Sequence, residues 1–275
     1  MEISAADVMK LRKATGAGMM DCKSALAEAE GDFNRAVDII REKGKLVASK
    51  RADREATEGV VLAKVNADKT SGAVIVLNCE TDFVAKNENF VAFAERILDA
   101  AIANNSADLD AVKALVLDGR TVENHVIEQT GVIGEKLDLP FYKKLDAATV
   151  VAYIHPGNKL STLVGFNQAN VDAQVAKDVA MQVAAMNPVA VDRGDVSAEV
   201  VAKELEIAKE KFRQEGKPEA MLDKISQGAL EKFYKESTLL NQAFIKENKQ
   251  TVAEFLKSQD KGLTVTGFCR FNLAD

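Results

Sequence analysis

One pattern occurs twice in this chain and restricts what it can fold into. "GVVLAKVNADKTSGAVIVLNCE" (59–80) holds two runs rich in Val, Ile and Leu around a polar turn. "NFVAFAERILDAAIA" (89–103) follows with helical periodicity. Later, "TVVAYIHPGNKLSTLVGFNQ" (149–168) is again two strand-like runs, now around a Pro-Gly-Asn turn, and "VDAQVAKDVAMQVAAM" (171–186) supplies the helix. An antiparallel hairpin backed by an amphipathic helix, present twice, predicts an α+β protein with two related subdomains. With aromatic residues at 5% and no Trp, their cores must be built from Ala, Val, Ile and Leu.

The segments around these repeats are helical. Near the N-terminus, Ser4 is a good N-cap, with Asp7 three residues on and Val8 and Leu11 on one face. Gly16 and Gly18 break the chain. Asp21 is expected to cap a second helix, which stops at Gly31. Asp32 is expected to cap a third, with Phe33, Val37 and Ile40 on one stripe and its end at Gly44. Between 197 and about 240, Leu205 and Phe212 share one stripe and Leu222, Ile225, Ala229 and Phe233 a facing one. "EGKP" (215–218) separates the two, which predicts a helical hairpin. The expected division is a helical bundle at 1–45, a linker at 46–58, a first α+β subdomain at 59–138 and a second at 139–196. The helical hairpin takes 197–240, and 241–275 returns a strand to the second subdomain.

Charge and composition narrow the function. A net charge of −6 and a pI near 5.3 argue against broad nucleic-acid binding, which needs Lys and Arg to displace phosphate counterions. No apolar run approaches the roughly 20 residues of a membrane span. "MEISAADVMKLRK" lacks the apolar stretch of a secretory signal, and Cys22, Cys79 and Cys269 form no C-x-x-C, so a reducing cytoplasm is the expected compartment.

A search for catalytic chemistry finds little. Phosphate-binding glycine loops and a nucleophile elbow are both missing. His125 and His155 stand alone, and no His/Cys grouping has metal-ligand spacing. His125 is expected on the surface and His155 at a polar rim. Cys79 activated by His155 is the one nucleophile that could be constructed, and a buried structural cysteine is the plainer reading.

Two short stretches suggest binding instead. In "NCETDFVAKNENF" (78–90), Asp82 and Phe83 stand at a strand-to-helix corner. An exposed phenylalanine there would suit a wedge for a partner; folding back beside Phe90 is the alternative that periodicity leaves open. In "TGAGMM" (15–20), Met19 and Met20 cannot both face a small core, so one is expected to be exposed, where Met suits a partner surface.

These stretches lie in longer ones that resemble the bacterial elongation factor Ts family. "LRKATGAGMMDCKSALAEAEGDFNRAVDIIREKG" (11–44) resembles the family's N-terminal module, and "NCETDFVAKNENF" its core signature. "YIHPG", "DVAMQVAAMNP", "VSAEVVAKELEIAKEKFRQEGKP" and "VTGFCRF" follow in the family's order, so the resemblance covers essentially the whole chain. It implies a ubiquitin-associated-like three-helix bundle, two α+β subdomains and a helical hairpin used in contacts between molecules. It implies a guanine-nucleotide exchange factor for elongation factor Tu, the GTPase that carries aminoacyl-tRNA to the ribosome. On this reading the chain is no enzyme and needs no cofactor or metal, and homodimerisation through the core or the hairpin stays open. By position, Thr81, Asp82, Phe83 and Val84 match the segment that intrudes near the partner's magnesium and nucleotide site. Arg12, Met19 and Met20 match the N-terminal contact patch, and His155 a contact from the second subdomain. Two features depart from the family pattern. Lys143 and Lys144 stand some residues after "GE" where members often carry an Arg-Arg pair nearer to it, and little follows "GFCRF". A pure binding adaptor without exchange activity is the rival from another class.

Overall fold

A computed structural model describes residues 3–275. Three helices open the chain, α1 (Ala5–Thr15), α2 (Met19–Glu28) and α3 (Phe33–Lys50). The Ser4 hydroxyl accepts from the Asp7 amide at 3.1 Å and Asp32 accepts from the Arg35 amide at 2.9 Å, so both expected caps are in place. Asp21 is not a cap: Gly18 holds that position and Asp21 lies in the first turn of α2, where its charge favours the helix N-terminus. Val8, Leu11, Cys22, Ala25, Leu26, Ala36 and Ile39 form the core of the bundle. The buried centre of the α3 stripe is therefore Ala36 and Ile39, with Phe33, Val37 and Ile40 half-buried on its flanks. The expected stop at Gly44 does not occur. α3 runs on to Lys50, through the 45/46 boundary, because Gly44 is buried against a later helix that supports the continuation.

The first hairpin pairs β1 (Glu58–Val65) with β2 (Ser71–Cys79). It leads into a single helical turn, α4 (Asp82–Ala85), and then α5 (Glu88–Ala103), capped by Asn87. α6 (Leu109–Ala114), the two-residue strands β3 (Val116–Leu117) and β4 (Arg120–Thr121), and α7 (Val122–Ile133) come next. β5 (Asp138–Asp146) then pairs antiparallel with β2, so the first sheet has the order β1-β2-β5. β5, spanning the boundary expected at 138/139, thus lies in the first sheet.

The second hairpin is β6 (Thr149–Ile154) and β7 (Leu160–Phe166), followed by α8 (Ala173–Met186). The helical hairpin α9 (Ala198–Gln214) and α10 (Glu219–Ser237) buries Ala208 on one arm and Leu222, Ser226 and Leu230 on the other. β8 (Ala243–Phe244), β9 (Glu247–Thr251) and α11 (Val252–Gln259) lead to β10 (Val265–Asn272). β10 pairs with β7, giving the order β10-β7-β6 and completing the second sheet as the sequence predicts.

The two sheets pack face to face between layers of helix. Val60, Leu62, Ile75 and Leu77 point to the α5 side, while Val61, Ala63, Val74 and Val76 point to the second sheet, against Val150 and Leu163. Both faces of the first hairpin are buried, which is why its strands are almost continuously apolar rather than alternating. On the far side of the second sheet, Val164 and Phe166 meet Val175, Val179 and Val183 of α8. Between the sheets the polar groups are satisfied: the Val61 amide donates to the Asn158 carbonyl at 2.7 Å and the Ser161 hydroxyl to the Val61 carbonyl at 2.6 Å. These two bonds place the β6–β7 turn beside the start of β1. No helix among the described residues is long and apolar enough to cross a membrane.

Candidate functional site

The corner after β2 is built by a one-turn helix. Four residues cannot sustain a helix alone, because nucleation fixes several residues for one hydrogen bond. α4 is held from its ends instead. Thr81 caps it, its hydroxyl accepting from the Val84 amide at 3.4 Å, and Ala85 and the half-buried Val84 pack into the first core. Phe83 then has nowhere to turn but outward, and its residue surface is 83% exposed. Phe90, beside which it could have folded, is buried in the first core without it. The fold-back alternative is therefore wrong, and the ring stands open to solvent, accessible to a partner.

Asp82 sits beside the ring and pairs with Lys86 at 2.6 Å. That bond, with the charges of Lys86 and of Lys159 from the β6–β7 turn, holds the Asp82 carboxyl below its usual range. Lys159 itself binds Glu58 at 2.8 Å, which with the charge of Asp82 raises its own pKa. The second hairpin thus brings its turn next to the Asp82 corner. His155 is exposed on that turn, its Nδ1 2.9 Å from the Tyr153 hydroxyl, as a rim residue should be.

The bundle carries the second group of expected contacts. Gly16, in the left-handed region at φ 75°, ends α1 and turns the chain into α2. Met19 and Met20 follow in the first turn, and both are exposed, Met20 to 76%. Arg12 is exposed one turn before the bend. A groove of about 560 Å³ between α5 and α7 is lined by Val84 and reaches the bundle at Gly16. Of the expected contact residues, Thr81 to Val84 form the cap and first turn of α4 and His155 lies on the turn near Asp82, while Arg12, Met19 and Met20 stand exposed on the bundle.

The base of the corner is a clasp of two carboxylates. Glu135 Oε2 accepts from the amides of Glu80 and Thr81 at 3.1 and 3.0 Å, and its Oε1 accepts from the Thr81 hydroxyl at 2.6 Å. In return, Glu80 Oε1 accepts from the Lys136 amide at 2.6 Å and from Arg51 at 2.7 Å. These bonds, the Lys136 amide first, pull the Glu80 carboxyl below the usual range. The Lys136 ammonium donates to the carbonyls of Ala52 and Arg54 at 2.7 and 2.9 Å, just past the end of α3. Gly134, in the left-handed region at φ 81°, ends α7 and lets Glu135 turn back toward β2. Sequence reasoning did not single out Glu80, Glu135 or Lys136, and it took Arg51 only as one of a basic linker cluster with Lys50 and Arg54. The available signal was slight: Glu80 lies inside the quoted corner motif, and Glu135 follows a helix-ending glycine.

The other candidates have structural roles. Cys79 is fully buried, its thiol donates to the Thr81 carbonyl at 3.2 Å, and burial followed by the charge of Glu135 pushes its pKa up to about 12. A thiol that resists ionisation is not a nucleophile at neutral pH. His125 is buried rather than on the surface: its Nε2 lies 2.7 Å from the Leu117 carbonyl, tying α7 to the short β3 strand. Among the described residues no three His, Cys, Asp or Glu side chains group as metal ligands.

Residues 80–275 match the family model described as elongation factor TS. Over 273 residues the chain is 50% identical to the elongation factor Ts of Azobacteroides pseudotrichonymphae and 52% identical to that of Christiangramia forsetii. Over 275 residues it is 50% identical to that of Porphyromonas gingivalis, and each comparison covers 99% of both chains.

Proposed function

The chain belongs to the elongation factor Ts family and so to translation elongation, and from that premise we propose that it is the guanine-nucleotide exchange factor for elongation factor Tu, acting in the cytoplasm and without covalent chemistry of its own. The observation that carries the reading is the projecting Phe83 on a one-turn helix whose ends are pinned into the core.

Exchange is coupling between two ligands of one GTPase. If this chain weakens GDP binding by some factor, GDP weakens binding of this chain by the same factor. A ten-thousand-fold effect requires about 5.5 kcal/mol. Burying the Phe83 ring contributes roughly 1.5–3 kcal/mol, so other contacts must also favour the nucleotide-free state. In the proposed mechanism, Phe83 separates elements beside the partner's magnesium site and Asp82 disturbs the ligand network by its charge. Thr81 and Val84 hold the turn that presents them. Arg12, Met19 and Met20 grip the same partner domain from the bundle, and His155 does so from the second subdomain. Exposed Ile207 and Met221 on the helical hairpin support its use in contacts between molecules.

The test is release of a fluorescent GDP analogue from elongation factor Tu. Acceleration that saturates with added chain is the expected result. A complex that forms and leaves the release rate unchanged would instead make the chain an adaptor.

A further inference from the structure

The clasp beneath the corner has a geometry that core packing alone does not require. α4 has too few residues to set its own direction, so the heading of Phe83 is set from its two ends, by Val84 and Ala85 in the core and by Thr81 at the cap. The Cys79 thiol reaches the Thr81 carbonyl, but the Thr81 amide and the proton of its hydroxyl go to one side chain. One Glu135 carboxylate receives the Thr81 amide, the Thr81 hydroxyl and the amide of the preceding residue, with one oxygen serving the two amides and the other the hydroxyl. Hydrogen bonds to an ionised acceptor are the shorter and stronger kind. The reciprocal half of the clasp, Glu80 to the Lys136 amide and Arg51, stops Glu135 from swinging away with its own backbone. An exposed ring can push on a partner only if its base does not yield, and functional groups need holding to within about 0.5 Å.

We propose that Glu135 is a positioning residue for nucleotide exchange: by holding Thr81 it fixes the direction of Phe83 and sets the maximal rate of GDP release, with little effect on how tightly the partner is bound. This rests on the exchange reading above. Glu135 acts through Thr81 and Phe83, and the bulk of the docking surface, on the bundle and the second hairpin, does not depend on it.

The experiment measures GDP release from elongation factor Tu against concentration of the full chain for wild type, Glu135→Ala, Glu135→Gln, Phe83→Ala and the Phe83→Ala/Glu135→Ala double variant. Glu135→Ala is expected to lower the maximal rate about tenfold while the half-saturating concentration moves less than about twofold. Glutamine keeps one acceptor oxygen for the two amides and should restore most of the rate. In the Phe83→Ala background, losing Glu135 should change nothing further, because the ring it aims is gone. Should Glu135→Ala fail to fold, Glu135→Asp takes its place with the same expected split, since it keeps the charge and shortens the reach by one methylene.

A wild-type maximal rate in the Glu135 variant, an effect confined to half-saturation, or an undiminished effect in the Phe83→Ala background would each overturn the proposal. In all three cases an active wild type slowed by Phe83→Ala leaves the exchange reading standing. No acceleration by wild type would bring down both.

Discussion

Gly44 of α3 and Gly131 of α7 cross with no side chain between them. A Cβ on residue 131 would lie 2.1 Å from the Gly44 Cα and 3.0 Å from its carbonyl carbon. The contact is one-sided: a Cβ on residue 44 would find its nearest atom, the Glu128 carbonyl oxygen, at 3.5 Å. Arg41 of α3 and Arg120 converge on Glu128 beside the crossing. Bundle and first subdomain are thus joined backbone to backbone, which is how α3 passes through a glycine that would otherwise weaken a helix.

Gly131→Ala is therefore expected to destabilise the protein by about 1–3 kcal/mol or more, since the helices must separate to admit the methyl group. Gly44→Ala should be neutral or stabilising by up to about 1 kcal/mol, because an ordinary van der Waals space awaits it and alanine favours helix. Denaturant unfolding of the two variants checks this. Equal losses would contradict the crossing.

The Glu80 half of the clasp predicts a pH dependence. Its carboxyl is held below the ordinary value of 4.5 by the Lys136 amide and then Arg51. The unfolded chain then binds the proton more readily than the folded one, so stability rises with pH between the two values. The contribution is complete above about 4.5 and is lost as pH falls through the folded-state value. Unfolding free energy measured from pH 6 downward should fall less steeply in Glu80→Gln than in wild type, by up to about one proton's worth of slope. Parallel curves would count against the clasp.

How far the sequence could be followed depended on whether an interaction was local. The hairpins and helices lay in short-range periodicity, and Ser4 and Asp32 were legible as caps because a cap acts three residues away. Phe83 was legible as an oddity, an aromatic ring at a polar corner, but its direction was not, since Thr81 is oriented by Glu135 some fifty residues on. Gly44 looked like a helix stop because its partner, Gly131, is far away in the chain. His125 looked like a surface residue because the polar neighbours in its sequence hide the Leu117 carbonyl that satisfies it when buried. Long-range pairs that remove a glycine's or a histidine's local meaning cannot be read from one sequence. The proposed contact residues that periodicity left open came from the family resemblance.

All three cysteines are buried, and burial raises each thiol pKa, to about 12 at Cys79 and about 11 at Cys269. A thiol-specific reagent should leave the native protein unmodified at neutral pH and should titrate all three in denaturant. Exchange activity should survive exposure of the folded protein to the reagent. Rapid modification of one native cysteine with loss of activity would revive the nucleophile reading.

The central claim is that a rigidly mounted Phe83 drives GDP release. Its most direct test compares wild type with Phe83→Ala in stopped-flow release of a fluorescent GDP analogue from elongation factor Tu. The side chain is exposed, so the variant should fold with an unchanged unfolding midpoint. Losing roughly 1.5–3 kcal/mol of partner burial should slow stimulated release by about tenfold to a hundredfold. Equal stimulation by the two proteins would contradict the account.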